Sequence, residues 1–144
     1  MKQGAFFFAI GVLLSTLVFK VYAAGNFSAK SWRDVDTGKF NAKIEAAHSA
    51  NKTWVSKPEL YVHYLLGMDE TKEVLFEMVA NRMESPSEYT IKLKRHKMLD
   101  DSVRGDINIL TLTKSTKGYW QVKSAKRASS CWKDKSGNYY GKPC

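Results

Sequence analysis

Cysteine is nearly absent: two occur in 144 residues, Cys131 and Cys144. A pair is too few for a thiolate zinc site, and there is no Cys-x-x-Cys spacing for dithiol chemistry. Histidine is almost as rare. His48, His63 and His96 form no His-x-x-x-His arrangement, so neither a metal nor a cofactor is expected. A Gly-x-Ser-x-Gly elbow, a phosphate-binding loop and a dinucleotide fingerprint are all missing, which removes the commonest hydrolase, nucleotidase and dehydrogenase signatures. Acidic residues are scarce in one half of the chain. Residues 91–144 hold 13 Lys and Arg against 4 Asp and Glu, whereas residues 25–90 hold 8 against 10.

The longest apolar run opens the chain. Gly4 to Phe19 carries no charge, with Lys2 before it and Lys20 after it. Its length falls between a signal-peptide core of roughly 7–15 residues and a spanning helix of about 18–20. Val21 and Ala23 stand where −3 and −1 residues belong for cleavage after Ala23. The alternative keeps residues 4–24 as an anchor, with Lys20 snorkelling to the interface. Either route places the remainder outside the cytoplasm, periplasmic or secreted, and leaves membrane contact to this segment alone. The expected organisation is an export segment over 1–24, a polar lead-in or tether over 25–35, and one domain over 36–144. In an oxidising compartment Cys131 and Cys144 pair as a disulfide, which stabilises a loop of this size by about 3 kcal/mol.

Periodicity sets out the elements. Phe40, Ile44 and Ala47 recur at helical spacing after Asp36 and Thr37. A second helix is signalled by a capping box of Ser56 and Glu59, with Pro58 in the first turn and Val55 and Leu60 as a hydrophobic staple. Leu60, Tyr61, Tyr64 and Leu65 form its apolar stripe and Gly67 its stop. The period then changes to two. Val74, Phe76, Met78 and Ala80 alternate with Glu73, Leu75, Glu77 and Val79; Tyr89, Ile91 and Leu93 alternate with Thr90, Lys92 and Lys94. In a third strand Ile107 and Ile109 give way to Leu110 and Leu112, a change of face that implies a bulge. Tyr119 to Lys123 opens a last strand running toward Cys131.

Helices followed by strands on short polar turns define an α+β chain: two N-terminal helices packed on a curved antiparallel sheet of about four strands, closed by a C-terminal disulfide loop. This element order resembles that of the cystatin-like and NTF2-like folds. The resemblance implies a cone-shaped fold of a kind that hosts enzymes and binding modules alike.

The functional signal is basic and aromatic. Lys92, Lys94 and Arg95 share one strand. Lys123, Lys126, Arg127, Lys133 and Lys135 crowd the last strand and the disulfide loop, beside Trp132, Tyr139 and Tyr140. Cations interleaved with aromatic rings grip anionic chains and stack on sugars. The expected partner is an anionic envelope component or an acidic protein; outside the cytoplasm nucleic acid is not expected. The leading reading is therefore an exported binding or interaction domain. One rival is a membrane-anchored envelope assembly module. Another is an NTF2-like enzyme with a histidine base, for which His96 with Asp100 and Asp101, or His63, are the weak acid–base candidates. Asp100 and Asp101 also read as turn formers, with Arg104 paired to one of them. No residue is therefore assigned a catalytic role.

Overall fold

The computed structural model describes residues 26–67 and 71–144. The apolar run and the expected cleavage or anchor segment over 1–24 lie outside them. Helix α1 (Gly38–Ser49) follows an Asx turn in which Asp36 Oδ1 accepts from the Gly38 amide at 2.9 Å. It ends where Asn51 adopts a left-handed φ of 55° and donates its amide to the His48 carbonyl. Ile44 is fully buried, and Phe40 and Ala47 pack beside it. The expected stripe is thus the buried one.

The second expected helix is broken into pieces. Two 3₁₀ turns, Thr53–Ser56 and Pro58–Leu60, precede a single π turn, Val62–Leu66. Ser56 does not cap; its hydroxyl donates to the Thr53 carbonyl at 2.9 Å. The cause is Pro58, whose ring drives the preceding residue out of helical space. Lys57 is accordingly extended, at φ −116° and ψ 93°. The break lets Trp54 and Val55 on one side of it, and Tyr61 and Val62 on the other, all enter the core. Tyr61 is completely buried, and its hydroxyl lies 2.8 Å from the carbonyl oxygens of both Val55 and Trp120, which share its one proton. Burial pushes that phenol far above its ordinary pKa. Gly67 closes the segment at φ 70°, as a helix stop should.

Five antiparallel strands form one sheet rather than four: β1 (Arg33–Asp34), β2 (Thr71–Ala80), β3 (Glu88–Met98), β4 (Val103–Lys114) and β5 (Trp120–Cys131), in the order β1-β5-β4-β3-β2. The extra strand comes from the lead-in, which packs down instead of standing off as a tether. Arg33 and Asp34 pair with Arg127 and Lys126. Beyond β1, Asn41 of α1 serves the outer edge of β5, exchanging two hydrogen bonds with the Val122 backbone at 3.0 and 2.8 Å.

Register assigns the faces. The helix side carries Ala80, Tyr89, Leu112 and Val122 in one cross-strand row and Met78, Ile91, Leu110 and Ala125 in the next. The main core lies here, between the sheet and the helical layer. The opposite side carries a second, smaller core: Ile107, Ala128 and Tyr139, with Phe27, Ala29 and Trp32 from the lead-in against them. The change from Ile107 to Leu110 is therefore no bulge, because the two sit on opposite faces of a regular strand and each face has its own cover. The real ladder shifts leave Arg104 extra on β4 and Lys123 extra on β5.

Toward its other end the helix side becomes polar. Asp106, fully buried, takes Arg95 in a fork, Nε to Oδ1 at 2.8 Å and Nη2 to Oδ2 at 2.6 Å, and Arg127 Nη2 joins on Oδ2. Arg95 also donates Nη1 to the carbonyls of Leu66 at 2.9 Å and Gly67 at 2.8 Å, capping the π turn. Burial alone would raise the Asp106 pKa. The Arg95 hydrogen bond and charge, with the Arg127 charge, outweigh it and hold the carboxyl below its ordinary range.

A carboxyl depressed by folding stabilises the protein above its unfolded pKa of about 3.9 and loses that contribution as pH falls through the lower folded value. Urea unfolding between about pH 3 and pH 7 should show this acid limb. Asp106→Asn should flatten it and cost about 3–5 kcal/mol at neutral pH, since the buried Arg95 guanidinium and the partly buried Arg127 lose their counter-charge.

Candidate ligand-binding groove

The sheet face opposite α1 is organised by four rows read across the strands. They are Val79, Thr90, Thr111 and Ser124; then Glu77, Lys92, Ile109, Lys126 and Asp34; then Leu75, Lys94, Ile107 and Ala128; then Glu73, His96, Gly105 and Ser130. Alternation along β3 thus gives this face Lys92, Lys94 and His96 in succession. On β2 Glu77 binds Lys92 at 2.6 Å, and Glu73 binds Lys97, the residue after His96. Lys94 stands opposite Leu75. Among the described residues no carboxylate lies within ion-pair reach of it. Its ammonium instead donates to the Asn26 carbonyl at 3.1 Å and sits 5.0 Å from the centre of the Tyr139 ring.

The disulfide loop supplies that ring. Cys131 and Cys144 are bonded, with their Cα atoms 5.4 Å apart, so residues 132–143 fold back beside β5. Tyr140 exchanges both backbone hydrogen bonds with Ser129, and the Lys30 amide donates to the Tyr139 carbonyl at 2.8 Å. Two glycines permit the approach. A Cβ on Gly105 would meet the Arg95 carbonyl oxygen at 2.5 Å and the Tyr139 hydroxyl at 3.1 Å, and one on Gly141 would meet the Trp32 backbone at 2.5 Å. The Tyr139 hydroxyl lies 3.3 Å from His96 Nδ1. Burial and the Asp106 charge push this phenol up, against the pull of Arg104, so it keeps its proton.

Two open depressions meet at this ring. One, of about 320 Å³, runs along Asn26, Ser28, Lys30 and Asn138. The other, of about 350 Å³, runs along Glu73, Leu75 and His96. Lys94, Gly137 and Tyr139 belong to both, which makes one continuous groove with a lone ammonium, a protonated phenol and an imidazole at its middle. Such a site can hold an anionic group by charge and hydrogen bonding, with the ring as a floor. Among the described residues no three His, Cys, Asp or Glu side chains converge on a metal-sized point.

The basic and aromatic residues of the sequence pattern are distributed over several places. Arg95 and Arg127 lie on the helix side, committed to Asp106. Lys123 binds Glu88 at 3.0 Å. Lys126, Lys133 and Lys135 are exposed, the last two on the disulfide loop. Trp132 donates Nε1 to the Asp100 carbonyl at 2.8 Å and stacks under Arg104, while Tyr140 lies under Lys142. Of these residues Lys94 and Tyr139 line the groove, with His96 beside them; Lys92 lies over the Phe27 ring, paired with Glu77.

The acid–base cluster is not assembled. The Asp100 carboxylate accepts the Ser102 and Val103 amides at 2.8 and 2.7 Å, which lowers its pKa, and Asp101 is exposed in the same turn. Arg104 donates to the Asp134 carbonyl rather than to either aspartate. His63 is exposed in the π turn, edge-on to Tyr64. Sequence reasoning missed the lead-in as a groove wall, although Phe27, Ser28, Ala29 and Lys30 alternate apolar and polar with a period of two. Comparison with protein-family models, with characterised proteins and with solved structures finds no match for this chain.

Gly105→Ala should loosen the loop from the sheet and destabilise the protein by about 1–3 kcal/mol, the range for overpacking. Hydrogen exchange provides the check: the Tyr140 amide, bonded to Ser129, should lose protection while the Leu110 amide of β4 keeps its own.

Proposed function

We propose that this chain is an exported binding domain that holds an anionic partner in the groove around Lys94. The observation that carries the reading is the uncompensated Lys94 ammonium. It sits where two depressions meet, flanked by a phenol that keeps its proton and by an imidazole. Lys30 extends the positive wall along one arm of the groove. The partner is an anionic envelope component or an acidic protein, met through carboxylate, sulfate or phosphate groups. The disulfide is compatible with an oxidising compartment, and the export segment over 1–24 is part of this proposal, as cleaved leader or as anchor. The finer likeness to cystatin-like or NTF2-like folds is also a proposal; its support is one helix laid against the meander of β2 to β5. An enzyme enclosing its substrate between helix and sheet finds no support, because Tyr61, Ile44, Ile91, Leu93, Leu110 and Leu112 fill that space.

Titration with a heparin oligosaccharide and with a polyaspartate peptide, at low and at physiological ionic strength, tests the groove. At least one probe should bind, more weakly as salt rises. Lys94→Ala should weaken that binding about tenfold or more, the value of a charged hydrogen bond. Lys133→Ala with Lys135→Ala, on the exposed loop, should change it far less. Equal affinity of Lys94→Ala and the parent for every probe that binds would refute the assignment.

A further inference from the structure

We infer that two copies of this chain join through their β2 strands, antiparallel and edge to edge, about a two-fold axis at Phe76. Among the described residues β2 is the long open edge of the sheet: ten residues, Thr71–Ala80, with β3 on one side and no strand on the other. From Glu73 opposite His96 to Ala80 opposite Tyr89 its register with β3 is continuous and holds no proline; beyond His96, Lys97 turns to a left-handed φ of 54°. Edge strands are ordinarily guarded by bulges, prolines or charges. Here the two carboxylates of the strand, Glu73 and Glu77, are paired with Lys97 and Lys92 of β3, Glu77 partly buried and Glu73 half exposed.

Exposure says what kind of partner fits. Val74 and Phe76 are 43% and 42% exposed on the helix side, and Leu75 and Val79 are 38% and 50% exposed on the other. A helix or a flat surface would cover one face and leave the other wet. Lipid would leave the outward amides and carbonyls unsatisfied. An added strand covers both faces and completes the ladder.

The strand fits its own copy. A two-fold axis normal to the sheet keeps each residue on its own face, so residues with numbers of like parity meet. Centred on Phe76, that axis sets Phe76 against its counterpart, Val74 against Met78 of the second copy, Leu75 against Glu77 and Glu73 against Val79. No like charges stand opposite each other, and the helix side gains a continuous ladder of Val, Phe and Met. The same axis leaves Asn26, whose carbonyl lies over Lys94, on one common side of the joined sheet in both copies.

Cysteine cross-linking of the full-length chain, in detergent micelles and in its native membranes, tests the pairing. Directly opposite residues in an antiparallel pair have Cβ atoms about 4.5–5.5 Å apart. Phe76→Cys should therefore give a covalent dimer under mild oxidation, and Met83→Cys, fully exposed beyond the strand, should give little. Val74→Cys and Met78→Cys should each cross-link poorly alone and well when the two variants are mixed. Mass analysis must show the Cys131–Cys144 bond intact in each variant, and sedimentation of the parent should give a dimer. A monomer in sedimentation overturns the inference. So does a Phe76→Cys yield no higher than that of Met83→Cys, or capture by Phe76→Cys of a different protein in the membrane. Lys94→Ala should remain dimeric, so the pairing and the groove can fail separately.

Discussion

One buried carboxylate holds three strands and the helical layer in register. Asp106 sits on β4 and takes Arg95 from β3 and Arg127 from β5, and Arg95 then reaches the carbonyls that end the π turn. A charge so enclosed has no route to water, so its partners must arrive together or the site is unfavourable. The geometry is specific: a forked guanidinium matched to both carboxylate oxygens tolerates little sliding of β3 against β4. Apolar rows higher on the same face would accept a slip of two residues far more readily, since one aliphatic side chain replaces another. The triad therefore acts as a register pin, and the apolar rows supply most of the stabilisation.

That pin also explains why β4 can serve two cores. With its register fixed, Leu110 and Leu112 point into the helical layer while Ile107 points the other way, toward Tyr139 and Trp32. The second core is small, and a cluster of this size needs help to stay closed. Help comes from the disulfide, from the two backbone bonds between Ser129 and Tyr140, and from the short β1 pairing. The groove is the rim of this second core, so the same packing that holds the loop down positions Lys94 over the Tyr139 ring.

Helix α1 and the strands β2 and β3 were legible from their periods, whereas β4 mixes two apolar faces in Ile107, Ile109, Leu110 and Leu112 and β5 was legible mainly at its start, Tyr119 to Lys123. The break at Pro58 was legible too, in the rule for the residue before proline, but the capping-box pattern around Ser56 argued the opposite. Burial on both sides of the break decided the contest. Strand β1 is two residues long and has no period to read. The placement of Arg95 shows a different failure. Grouped with Lys92 and Lys94 by nearness in sequence, it shares its parity with Tyr89, Ile91 and Leu93, and that parity puts it inside. Asp106 shares parity with Leu110 and Leu112 in the same way. The disulfide followed from the cysteine count and the expected compartment; the groove did not, because its walls come from segments more than a hundred residues apart in the chain.

Tyr139 belongs at once to the small core and to the groove, and this double membership makes folding and occupancy communicate. Anything that rests on its ring or beside Lys94 favours the docked loop over the lifted one, in proportion to how much better it binds the docked form. The backbone amides of the loop would then exchange more slowly while the groove is filled, and a label on the chain's far end could report on a ligand it never touches.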